Sequence, residues 1–177
     1  MTRVWALLFA GVVLVVAAHV YQVGLLTRNA AAERQAAMAL VCIEKGEGDS
    51  AAALIEGAIL LSPKNPSLYY DASGIYAVQA MSVFVKGGTE HYPWLVLSMD
   101  AAQKASKLSG DWFYLSDYAN TLLFAFVYEY PVDLHKVLAA YEDIPEAPSA
   151  AVNQQIAFRT AFVRKALTAV PSEGSVQ

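Results

Sequence analysis

Cysteine is all but absent. Cys42 stands alone, so the chain cannot form an intramolecular disulfide, a four-cysteine zinc cage or a Cys-x-x-Cys-His haem attachment site. Charge is scarce as well, at 16% of the 177 residues, and its balance is acidic, with 12 Lys and Arg against 16 Asp and Glu. Only Arg3 and Arg28 precede Glu33, so nearly all of the charge lies in the remainder of the chain. Such a chain lacks the basic face that displaces phosphate counterions, and nucleic acid is not an expected partner. Strand signals are missing too: apolar runs are long, Ala is plentiful, and Gly and Pro do not fall at the short spacing of β-hairpins. There is no nucleophile elbow, P-loop, dinucleotide fingerprint or His-Glu-x-x-His motif. The expectation is a protein without enzymatic activity, cofactor or metal.

Apolar residues, in contrast, make up 56% of the chain. That is ample for a packed core, and the length suits one domain with an appendage. Residues 4–26 form a stretch with no formal charge, in which His19, Tyr21 and Gln22 gather toward the C-terminal end and Trp5 and Tyr21 flank the run. As a helix this stretch is long enough to cross a bilayer, and it predicts a transmembrane signal-anchor over residues 1–28. The alternative is a cleaved signal peptide, with Val16-Ala17-Ala18 as the cleavage site. No cysteine closes the run, which excludes a lipoprotein signal. A short N-terminal tail and a long acidic remainder predict a bacterial inner-membrane, single-pass arrangement with the C-terminal domain periplasmic.

The remainder reads as helices only. Ala32, Ala36, Ala39, Leu40 and Ile43 recur at three- and four-residue spacing, followed by the stop Gly46-Glu47-Gly48. Asp49 or Ser50 is placed to cap a second helix, which Ser62-Pro63 breaks. Asn65 and Pro66 open a third that runs to about Val85, Pro93 opens a fourth ended by Ser109-Gly110, and Asp111 caps a fifth. Pro131 begins a sixth, Ser149 caps a seventh that runs to about Val170, and residues 171–177 read as a frayed, disordered tail.

Residues 35–65 resemble a tetratricopeptide repeat, a helical hairpin with small residues at the helix crossing and a proline after the second helix. Gly46 lies at the turn, Ala51 and Ala58 at the small positions and Pro63 at the close, while Gln35 and Ala39 depart from the family's aromatic and glycine positions. A second unit fits through Tyr69, Ala72, Ser73, Tyr76, Ala102 and Ala105, stretched between Val85 and Pro93 and closed by Gly110 instead of proline. A third keeps Ala119 and Asn120. The resemblance implies an all-α, tetratricopeptide-like stack of about three hairpins over residues 29–170, with a C-terminal capping helix.

His91 beside Glu90, and His135 near Asp133 and Glu142, lack the convergent partners that metal binding or acid–base catalysis needs. Cys42 reads as a small buried hydrophobe. Aromatics are the marked excess: 14 of the 20 Phe, Trp and Tyr fall between Tyr69 and Tyr130. Adjacent aromatics such as Tyr69-Tyr70 and Trp112-Phe113-Tyr114 point about 100° apart on a helix, so some must face outward. Tyr69, Tyr70, Tyr76, Trp94, Trp112, Tyr114 and Tyr118 are the candidate partner-binding residues, since Tyr and Trp dominate interface energetics. The functional expectation is a membrane-anchored helical-repeat scaffold or assembly factor that docks a protein partner of the cell envelope. The alternative is an accessory subunit held in a membrane complex by its transmembrane helix.

Overall fold

The computed structural model describes residues 2–87 and 90–169, and the side chains of residues 14, 16–87 and 90–168. The expected tail at 171–177 and the side chain of Trp5 lie outside the described residues. Among the described residues there are seven helices and no strand: α1 Thr2–Glu44, α2 Gly48–Leu61, α3 Pro66–Val85, α4 His91–Ser109, α5 Trp112–Val127, α6 Leu134–Glu142 and α7 Ala150–Ala169. The protein is all-α.

Local chemistry sets the boundaries. Asn65 Oδ1 accepts from the Ser67 amide at 3.1 Å and Pro66 fills the first helical position, where its missing N–H is not needed. The Asp111 carboxylate accepts from Phe113 N at 3.2 Å, and that of Asp133 from His135 N at 2.9 Å. Gly110 ends α4 at φ +67°, a left-handed conformation that a side chain resists. Three starts differ from the sequence reading. Helix α2 begins at Gly48, ahead of Asp49 and Ser50, behind a Glu47 that makes no side-chain cap. Helix α4 begins at His91, before Pro93. Helix α6 begins after Pro131, because Asp133 supplies the cap.

The N-terminal expectation is corrected. Among the described residues no helix is long and apolar enough to cross a membrane. The single-pass, inner-membrane assignment with a periplasmic C-terminal domain therefore falls. Of the apolar run 4–26, the described side chains are those of Leu14 and residues 16–26. His19, Tyr21 and Gln22 interrupt this run and Arg28 follows it, all in one unbroken helix that continues to Glu44.

Helices α1/α2, α3/α4 and α5/α6 form three antiparallel hairpins, and α7 packs on α6. Each helix packs chiefly on its sequence neighbours, while α1, α3 and α5 also touch in turn and so share one side of the stack. Small residues permit the close approach of the first hairpin: Ala32, Ala36 and Ala39 of α1 meet Ala51, Ile55 and Ala58 of α2. Gln35 lies over Gly57, where an added β carbon would stand 2.8 Å from its Oε1. At the other end Leu122, Val137, Tyr141 and Val163 make a core shared by α5, α6 and α7. Asn120 Oδ1 joins these three helices, accepting from Tyr141 Oη at 2.7 Å and from the Arg159 guanidinium. The outer face of α7 is not wholly polar, since Phe158 and Phe162 are exposed.

Candidate functional site

Helix α3 is apolar around most of its circumference. Its inward side supplies Leu68, Ala72, Ile75, Tyr76 and Ala80 to the core. Its outward side carries Tyr70, Val78, Met81 and Val85, all exposed, with Gly74 between them. An apolar helix of this kind is usually enclosed by neighbours. Here the neighbours α1 and α5 flank α3 and leave a cleft of about 310 Å³. Leu40 and Ile43 of α1 form one wall, Asp117 and Thr121 of α5 the other, and Tyr70, Asp71, Gly74 and Val78 of α3 the floor. No residue of an even-numbered helix lines it.

Beneath the floor a set of hydroxyls ties three helices together. Ser98 Oγ donates to Ser73 O at 2.9 Å, Ser73 Oγ lies 3.3 Å from Ser98 Oγ and 3.4 Å from Thr121 Oγ1, and Thr121 Oγ1 donates to Asp117 O at 2.9 Å. Hydrogen-bonded polar groups at such a depth fix the register of α3, α4 and α5. The carboxylate above them is different. Asp117 Oδ2 is buried and has no hydrogen-bond partner. Burial pushes its carboxyl up to about 6, and the Asp71 carboxyl is also raised by burial. Both carboxylates lie near enough to Tyr70 to raise its hydroxyl, after burial itself.

The aromatic candidates separate into four places. Tyr70 meets Phe113 at 5.0 Å between ring centroids and Tyr114 at 6.2 Å, and Trp112 stands edge-on to Phe113 at 6.0 Å, a cluster at one end of the cleft. Tyr114 Oη lies 3.1 Å from Ser67 Oγ, holding the starts of α3 and α5 together. Tyr76 is buried, its ring 6.0 Å from that of Trp94, and burial with Glu56 beside it pushes its hydroxyl up to about 12. Both rings belong to the core between α2, α3 and α4. Tyr69 Oη donates to Pro63 O at 3.1 Å and so fastens the α2–α3 turn. Tyr118 accepts from Gln103 Nε2 at 3.1 Å in a separate cleft of about 350 Å³ between α4, α5 and α6. Thus Tyr70 alone of the seven lines the α1/α3/α5 cleft, with Tyr114 and Trp112 beside it in the ring cluster.

Phe113, Asp71 and Asp117 were absent from the sequence-derived set. The adjacency of Phe113 to Trp112 and Tyr114 was a usable signal, whereas nothing local marks the two aspartates. His91 opens α4 and is buried against Phe84 and Tyr92, with Nε2 3.3 Å from Tyr128 O. His135 is exposed. Cys42 is half-buried beside the α1/α2 core. Among the described residues no group of three or more His, Cys, Asp or Glu converges as metal ligands would.

Comparison with known proteins finds no counterpart: no family model, no curated protein and no solved structure matches the chain.

Proposed function

We propose that this protein is a tetratricopeptide-like docking scaffold or assembly factor that receives a segment of a protein partner in the α1/α3/α5 cleft. It works by binding, without bond chemistry. The observation that carries the reading is the outward face of α3, where Tyr70, Val78 and Met81 are exposed and Tyr70 and Val78 line an open cleft. Exposed apolar surface of this kind, rimmed by aromatic rings, marks an interaction site. The hairpin stack supports the same reading. Gly46 at the first turn, Ala51 and Ala58 where the helices cross, and Pro63 after the second helix agree with the tetratricopeptide pattern. In such stacks a groove lined by successive helices accommodates an extended or helical peptide.

Gly74 offers a direct test. No atom lies within 4 Å of a β carbon built there, so Gly74→Phe places a ring in the cleft without disturbing the core. Full-length tagged protein carrying this substitution should lose a stoichiometric companion that the parent retains on affinity purification. Leu60→Ala, on α2 and outside the cleft, should retain it. Equal recovery from both variants would refute the cleft as the docking site.

A further inference from the structure

The docking reading leaves the buried, unpartnered oxygen of Asp117 without a role, and the composition of the cleft gives it one. Resting on that reading, we infer that the partner segment seats a lysine or arginine side chain in the cleft, its aliphatic stem along Leu40 and Val78 and its charged head between Asp71 and Asp117. Four observations carry this assignment. Leu40 and Ile43 on one wall and Val78 on the floor are apolar, which suits the methylenes of a long cationic side chain. Its acidic groups come from two different helices, α3 and α5, and face the same space. Asp117 Oδ2 is removed from water yet accepts no hydrogen bond, an arrangement that costs stability and that a bound donor would relieve. Among the described residues no cation pairs with either carboxylate: the one ion pair joins Arg164 to Glu142 at the far end of the stack.

The charge of the site selects its occupant. An acidic or phosphorylated segment would meet two carboxylates in a partly desolvated space, and a purely apolar one would seal Asp117 away still unpaired. A cationic head supplies several N–H donors to the pair, whereas the exposed rings of Tyr70 and Phe113 at the cleft's end can hold a neighbouring apolar residue of the same segment.

The test uses phage-displayed random dodecapeptides selected on the full chain, with Gly74→Phe as the blocked control. Peptides that bind the parent and not Gly74→Phe should share one Lys or Arg at a fixed register. Each should bind Asp117→Asn about tenfold or more weakly, and replacing that Lys by norleucine should cause a similar loss that is not additive with Asp117→Asn. Asp117→Asn is isosteric and removes an unpaired buried charge, so its melting temperature should equal or exceed the parent's and loss of binding cannot be ascribed to unfolding. Cleft-specific peptides with no shared cation, or with unchanged affinity for Asp117→Asn, would overturn the cationic occupant and leave the docking site standing. Failure to recover any peptide sensitive to Gly74→Phe would overturn both.

Discussion

Asp117 shows at the scale of one residue how function and stability oppose each other. Its carboxyl titrates near 6 in the folded protein, against about 3.9 in an unfolded chain. The folded state therefore binds more protons than the unfolded state between about pH 4 and pH 6, and stability falls as pH rises through that window. Above it the full penalty persists, on the order of 2 kcal/mol at pH 7 once the partial solvent access of the group is allowed for. Asp117→Asn should raise the free energy of unfolding at pH 7 by about that amount and should flatten the decline between pH 4 and 6. Urea denaturation of parent and variant at several pH values measures both. Tyr70→Ala and Phe113→Ala should change stability by about 1 kcal/mol or less, because both rings are partly exposed, yet weaken partner binding by a larger factor. Little of this chemistry was legible in the sequence. Asp71 and Asp117 are ordinary aspartates on helical faces until packing brings α3 beside α5, and burial is a property of that packing. The aromatic signal was legible only as an excess: Tyr70 went to the cleft, while Tyr76 and Trp94 went to the core.

Elements were far more readable, because helix signals are local. Asn65, Asp111 and Asp133 each accept a backbone N–H two residues on, and Gly110 takes the left-handed conformation that its position after Ser109 implies. Asn65→Ala and Asp111→Ala should each cost about 1 kcal/mol in thermal or denaturant unfolding, the usual worth of a side-chain cap. Gly110→Ala should cost a similar amount, about 1 kcal/mol, by forcing a β carbon into the left-handed region. Where the element reading failed, a competing local feature prevailed. Pro131 suits a first helical turn, but Asp133 offers a cap, and the chain between them is held by a Val132 N to Tyr130 O bond of 2.7 Å. The N-terminal apolar run was read by its lack of charge. Among the described residues no helix is long and apolar enough to cross a membrane; the stretch contains His19 and Gln22, and no stop separates it from the amphipathic half of α1.

For the whole molecule, the order of packing matters more than the size of any one core. Helices meet their sequence neighbours, and the two main clusters lie at opposite ends, one centred on Ile55 and Leu68 and the other on Leu122, Val137 and Tyr141. In nearest-neighbour stacks stability is roughly a sum of local terms, so damage at one end stays local. Val137→Ala should accordingly cost about 1–3 kcal/mol. It should lower hydrogen-exchange protection in α5–α7 more than in α1 and α2. The sequence made this architecture readable through its repeated helix–turn–helix punctuation. The cleft was not readable, because it is made by three odd-numbered helices that are each separated by a hairpin partner.

The most direct test of the account is site-specific photocrosslinking of the full chain in its native cells, with a benzophenone side chain at Val78 in the cleft or at Leu60 on α2. The account predicts a discrete protein adduct from Val78 that Gly74→Phe abolishes, and none of that size from Leu60. Adducts from Leu60 alone, or a Val78 adduct that persists with Gly74→Phe, would contradict it.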